Sequence, residues 1–203
     1  MRYYATPSTP RVRDAMCRGL LGAITTPRQG NRLPGGDWIA DNGRFGQGWP
    51  GYQRWGTWLR SLPVAGCAFA VAPDVPFDAA ATLRIFGPAG RFIRRVGYPV
   101  ALAAQNGLEH LSVPWGAFDV LFLGGDTAWK LGPYARQLTG EARDRGLPVH
   151  MGRVNSLRRL RYAQAIGCTS ADGTYLAFSP DRNLANVLGW IEDTRDQGWL
   201  FDV

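Results

Sequence analysis

Residues 67–105 read CAFAVAPDVPFDAAATLRIFGPAGRFIRRVGYPVALAAQ, and the apolar period changes twice along them. The run CAFAVAPD (67–74) is short, β-favouring and nearly continuous in apolar residues, and it ends on Asp74. FDAAATLRIFGPAGRFIRRVG (77–97) then spaces its apolar residues at helical intervals, and PVALAAQ (99–105) returns to a short apolar run ending on Gln105. Strand, helix and strand in this order predict two parallel strands joined by a crossover helix. Apolar runs without alternation fit a sheet covered on both faces.

The same pattern extends outward in both directions. Strand-like runs occur at RYYAT (2–6), LLGAIT (20–25), DWIAD (37–41), DVLFLGG (119–125), PVHMG (148–152) and GCTSAD (167–172), making eight in all. Helical period is found in PRVRDAMCRG, GYQRWGTWLRSL, TAWKLGPYARQLTGEARDRG, SLRRLRYAQAIG and the closing NLANVLGWIEDTRDQ. Residues 26–36 show none, which predicts an irregular crossover between the second and third strands. Eight β/α repeats predict a compact α/β fold, a (β/α)8 TIM-type barrel. An open doubly wound sheet competes, because 203 residues is short for a barrel. With 45% hydrophobic residues the chain can bury one substantial core, so residues 1–203 are read as a single domain.

Composition narrows the function classes. The formal charge is +7 and almost all of the basic residues are arginine, which favours a polyanionic partner, although a merely solubilising surface gives the same balance. Cys17, Cys67 and Cys168 are scattered and odd in number, and His110 and His150 are the only histidines. Neither a disulfide scaffold nor a cysteine- or histidine-built metal centre is expected, and no cofactor is required. MRYYATPSTP lacks the apolar segment of an export signal and no run is long enough to span a membrane, so the expectation is a cytoplasmic protein.

Polar residues cluster at the ends of the apolar runs. Asp41, Asp74, Gln105 with Asn106, Gly124 with Gly125, Met151 with Gly152, and Asp172 each fall at or just past a predicted strand tip. In a barrel those tips converge on the mouth where active sites are built. Any one of them is explained equally well as a turn or helix cap. Three carboxylates on separate tips, however, suit acid–base or covalent chemistry at a carbon centre.

In order and context these tips resemble the queuine/archaeosine tRNA-guanine transglycosylase family, and especially its small phage-type branch that places 7-deazaguanines in DNA. DNGRF is similar to the family's D-S-G-G-F/Y-Q segment, AAQNG to its Q-G segment, FLGGD to its G-G-L turn, VHMGRV to L-M-G-V-G, and GCTSAD to G-V-D-M-F-D. The resemblance implies that Asp172 is the nucleophile and Asp41 the general acid/base. It further implies that Phe45 and Met151 sandwich the base, Asp74 accepts from its N1 and exocyclic amine edge, and Gln105 with the backbone of Gly124 and Gly125 meets its carbonyl edge. Arg44 stands where the family has its second glycine, and T-S-A replaces D-M-F. The family's zinc-binding C-x-C-x-x-C motif and appended RNA-binding domain are absent, which favours DNA as partner over a folded tRNA.

The implied reaction is exchange of guanine in DNA for a 7-deazaguanine (preQ0-like) base. Asp172 attacks the anomeric carbon, Asp41 manages the proton of the departing base, and a free base then attacks the aspartyl–sugar ester with net retention. The partners are DNA with an extruded guanine nucleotide and a free 7-deazaguanine base. Lys130, the chain's only lysine, together with Arg153, Arg158 and Arg159, are candidate phosphate contacts, with a solvated helix face as the bland alternative for Lys130, Arg158 and Arg159. Met151 without the resemblance reads as core filler. Trp49, Trp55 and Trp58 read as packing groups. A tRNA-guanine transglycosylase-like enzyme, an N-glycosidase that lets water resolve the ester, and an inactive nucleic-acid-binding barrel remain alternatives.

Overall fold

A computed structural model describes residues 1–46 and 48–196. Eight parallel strands close into one barrel in chain order. They are β1 (Arg2–Ala5), β2 (Gly22–Thr25), β3 (Trp38–Ala40), β4 (Cys67–Val71), β5 (Val100–Ala104), β6 (Val120–Leu123), β7 (Val149–Met151) and β8 (Ser170–Asp172). The barrel is sealed where β8 returns to β1, with Arg2, Tyr3 and Tyr4 opposite Ser170, Ala171 and Asp172. The open-sheet alternative is thereby excluded, and each predicted apolar run contains one strand.

The helices are α1 (Pro10–Cys17), α2 (Tyr52–Ser61), α3 (Ala79–Val96), α4 (Thr127–Lys130), α5 (Pro133–Asp144), α6 (Leu157–Ile166) and α7 (Pro180–Asp196). Side chains of Asp78 and Ser156 accept backbone N–H bonds at the starts of α3 and α6, and the helices end at left-handed Gly97 and Gly167. The single helix expected over 127–146 is instead two, because Pro133 starts α5 and disfavours helical geometry in Gly132, which is extended at ψ -179°. Between β2 and β3 the chain makes the irregular crossover that 26–36 predicts. Of the expected closing segment, Gln197 lies outside the described residues.

Strand parity divides the core into two layers. Tyr4, Ile24, Ile39, Phe69, Val71, Ala101, Ala103, Val120 and Phe122 form a cluster inside the barrel. Residues of opposite parity, such as Tyr3, Ala5, Trp38, Ala40, Leu102, Leu121 and Met151, pack outward against the helices. Burial of each large apolar side chain contributes about 1.5–3 kcal/mol. The polar chain segments that follow the strands therefore sit on a rigid rim.

Candidate active site

A cavity of about 320 Å³ opens at the C-terminal ends of the strands. Its lining includes Asp41, Asp74, Gln105, Gly124, Arg153 and Asp172, brought together from β3, β4, β5, β6, β7 and β8 or the residues just after them. Phe45 and Gly152 also face it. A second cavity, about 650 Å³ between α2 and α3, is lined by residues such as Tyr52, Trp55, Arg84 and Phe92 and includes no carboxylate, cysteine or histidine. Of these two, the first is the one that gathers carboxylates.

Asp41 extends the β2–β3 ladder, its N–H donating to Thr25 O at 2.9 Å. Its Oδ1 accepts from the Gly43 N–H at 2.6 Å, which turns the chain into the glycine-rich loop. Burial pushes its carboxyl up to about 7, against the Gly43 hydrogen bond and with help from the negative charges of Asp172 and Asp74. A carboxyl raised toward neutrality is suited to both giving and taking a proton.

Asp172 ends β8 and lines the cavity with only 8% of the residue exposed. Its Oδ2 lies 2.8 Å from His150 Nε2, and its Oδ1 accepts from the Arg153 N–H at 3.2 Å. The backbone carbonyl of Asp172 accepts from the Val154 N–H at 2.6 Å, tying the tip of β8 to the segment after β7. Both oxygens of the nucleophile candidate are thus held by neighbours. His150 itself is fully buried, and its Nδ1 lies 2.8 Å from Ser170 Oγ.

Asp74 is held from both sides. Asn42 Nδ2 donates to its Oδ1 at 2.9 Å, and Gln105 Nε2 donates to its Oδ2 at 2.5 Å. Burial still raises its carboxyl above the ordinary range, despite these hydrogen bonds and the nearby Arg44 charge. Gln105 spends its other amide atom on the Phe77 N–H at 2.9 Å. The amide expected to meet a base is therefore a brace for Asp74 and the loop after β4.

Gly124 and Gly125 are also committed elsewhere. Both N–H groups donate to Ala104 O, at 2.9 and 3.1 Å, and both carbonyls accept from Arg153 Nη2. A Cβ on Gly124 would lie 2.7 Å from Gln105 Nε2, and one on Gly125 would lie 2.4 Å from the Trp129 ring. Close packing after β6 explains the glycine pair, and neither amide is left to read a base edge.

Met151 is corrected by strand parity. His150 and Gly152 point inward, so Met151 between them points outward into the helix layer, 2% exposed and absent from the cavity lining. It cannot form one slice of a stacking sandwich here. Phe45 does stand at the cavity, 54% exposed, with its partner supplied differently: the Arg153 guanidinium lies over its ring at 3.9 Å, and the Phe77 ring is T-shaped to it with centroids 6.0 Å apart. Phe77 and Arg153 both adopt left-handed backbone, φ 67° and 62°, a strained conformation found at functional sites.

The expected phosphate contacts separate. Arg158 is exposed on α6 and Arg159 is half-buried on the same helix. Arg153 points into the cavity rather than outward. Lys130 is buried, its Nζ donating to Gly152 O, and burial first and Arg153 second push its ammonium down to about 7. It is unavailable as a surface phosphate contact. Trp55 is buried, with Trp49 and Trp58 packed against the core, as packing groups should be.

The sequence reading missed His150, Asn42 and Phe77. A signal for His150 was present, since a polar residue two before an inward glycine in an apolar strand shares that glycine's face.

Fold and site define the chain as a (β/α)8 barrel whose strand tips gather three carboxylates around one cavity. No family model and no curated protein matches the sequence. Among solved structures it is similar to the Bacillus subtilis YkuI protein, which has an EAL domain and was crystallised with substrate c-di-GMP and calcium. The likeness has 12% identity and a TM-score of 0.42, covering 95% of this chain and 53% of that one. The chain spans about half the length of that protein, and the likeness is too distant to bear on function. Among the described residues no helix is long and apolar enough to cross a membrane.

Proposed function

We propose that this barrel is a cytoplasmic pentosyltransferase that exchanges guanine in DNA for a 7-deazaguanine base. The observation that carries the reading is the pairing of Asp172 with Asp41 in one cavity. Asp172 is held at both oxygens, by His150 Nε2 and the Arg153 N–H, while Asp41 is pushed up to about 7. Two carboxylates driven toward different roles are what double displacement at an anomeric carbon requires.

Asp172 Oδ1 attacks the anomeric carbon as the bond to guanine breaks, and Asp41 delivers its proton to the departing base. An incoming base then attacks the same carbon, its proton passes to Asp41, and the ester releases Asp172. The choice of guanine-type bases rests on the resemblance to the transglycosylase family. Of the base contacts it implies, Asp74 and Phe45 are the two that line the cavity with acceptor sites or ring surface to offer. The cationic balance of +7 and exposed Arg158 suit a phosphodiester backbone.

Incubation with guanine-containing DNA and labelled guanine tests the reading. Label entering the DNA supports it. Release of guanine without incorporation makes the protein an N-glycosidase, and binding without either makes it an inactive barrel.

A further inference from the structure

His150 is the one imidazole inside the barrel, and its surroundings are otherwise apolar. The ring stacks on Phe122 with centroids 4.8 Å apart and 24° between planes, and Phe69 and Tyr4 close round it at 5.2 and 5.9 Å. Its two nitrogens meet Ser170 Oγ and Asp172 Oδ2, each at 2.8 Å. The pairing is built by strand register, since His150 sits opposite Ser170 on adjacent β7 and β8, with Asp172 two residues on and on the same face. A fully buried polar ring packed against three aromatic groups is retained at a cost unless its hydrogen bonds are used.

We propose that His150 is a positioning residue that sets which oxygen of Asp172 attacks and assists that carboxylate as the leaving group in the second displacement. A carboxylate only accepts, so Nε2 carries the proton directed at Oδ2. That leaves Oδ1, which has a single longer hydrogen bond, to form the ester bond to the sugar. In the ester, Oδ2 becomes the carbonyl oxygen and keeps the His150 bond. When the incoming base attacks the anomeric carbon, the C–Oδ1 electron pair returns to Asp172 and the Nε2–H stabilises the carboxylate re-formed. Ser170 holds the far nitrogen and so fixes the ring plane. This inference rests on the glycosyl-transfer reading of the same cavity.

Two measurements on the full chain test it. Nitrogen-15 NMR of labelled imidazole in the free protein reads the pairing without any substrate. The proton is expected on Nε2, and a ring bearing its proton on Nδ1 alone overturns the inference whatever the reaction is. The second measurement isolates the protein–DNA ester and follows its discharge by added guanine in wild type, His150→Phe and His150→Gln. Phe fits the aromatic cage but donates nothing, so discharge should slow at least ~10-fold, as expected for a lost hydrogen bond to a charged group, with DNA affinity unchanged. Gln restores an N–H toward Oδ2 and should recover most of the rate. A folded His150→Phe variant that discharges at the wild-type rate overturns the inference. Wild-type protein that forms no ester overturns the glycosyl-transfer reading itself, and the leaving-group role with it.

Discussion

The Arg153 guanidinium lies over the face of Phe45, 3.9 Å from the ring centre. It is anchored there by the carbonyls of Gly124 and Gly125, with the Phe77 ring perpendicular to that of Phe45. A planar cation on an exposed aromatic face contributes about 0.5–1 kcal/mol, comparable to or less than the stacking of a base. A base that stacks on that face of Phe45 therefore competes with the guanidinium for it.

That competition makes two substitutions diverge. Phe45→Ala should weaken binding of free guanine about 5- to 150-fold, the equivalent of ~1–3 kcal/mol of stacking, with little change in thermal stability because the ring is 54% exposed. Arg153→Ala should leave free-base binding equal or tighter while lowering the Asp172-dependent rate, since its positive charge and strained backbone sit beside that carboxylate. Calorimetric titration with guanine on both variants decides this. Equal losses in the two would mean that Arg153 is part of the base platform.

Asp41 is expected to leave a signature in both activity and stability. Burial pushes its carboxyl up to about 7 from an ordinary 3.8, so the folded state is expected to bind more protons than the unfolded state between about pH 4 and 7. Stability should therefore be fullest at the acid end of this window and decline as pH rises through it. Asp41→Asn should lessen that decline, leaving the part that the raised Asp74 carboxyl contributes. The same substitution should slow base exchange at least ~100-fold, the lower end of what a positioned proton donor contributes. Denaturant melts of both proteins at pH 5 and pH 8, alongside exchange rates, check the two effects; parallel pH trends in the melts would mean that Asp41 is not the titrating group.

Lys130 gives the opposite sign in a different window. Its ammonium is pushed down to about 7 from 10.5, so between these values the unfolded chain binds more protons and stability should rise with pH. Lys130→Met, close in volume, should abolish that rise. It should also leave the salt dependence of DNA binding unchanged, because the amine is buried on Gly152 O and neutralises no phosphate. Loss of about one unit from the slope of log affinity against log salt would restore Lys130 as a phosphate contact.

Much of the barrel was legible because its signal is local. Eight apolar runs and their intervening helical periods survive in the sequence, and even the irregular 26–36 crossover follows from the lack of period there. The break at Gly132 was hidden because the apolar spacing continues through Pro133, and only backbone sterics divide α4 from α5. At the site, Asp41, Asp74 and Asp172 were visible as carboxylates on strand tips. What a tip residue bonds to is set by neighbours distant in sequence. Gln105 meets Asp74 from 31 positions away, and Arg153 reaches the Gly124 carbonyl across 29. Met151 was misplaced for a simpler reason: a one-residue step along a strand exchanges the barrel interior for the helix layer, and His150 took the inward place.

The most direct test is capture of the ester on Asp172. Wild-type protein incubated with guanine-containing DNA and denatured without added base should yield one covalent protein–DNA species, with peptide mapping placing the sugar on Asp172. Added guanine should discharge it before denaturation, and Asp172→Asn should bind DNA with similar affinity yet form none. Base exchange sustained by Asp172→Asn, or an adduct mapped to any other residue, would contradict the assignment of Asp172 as the nucleophile of this barrel.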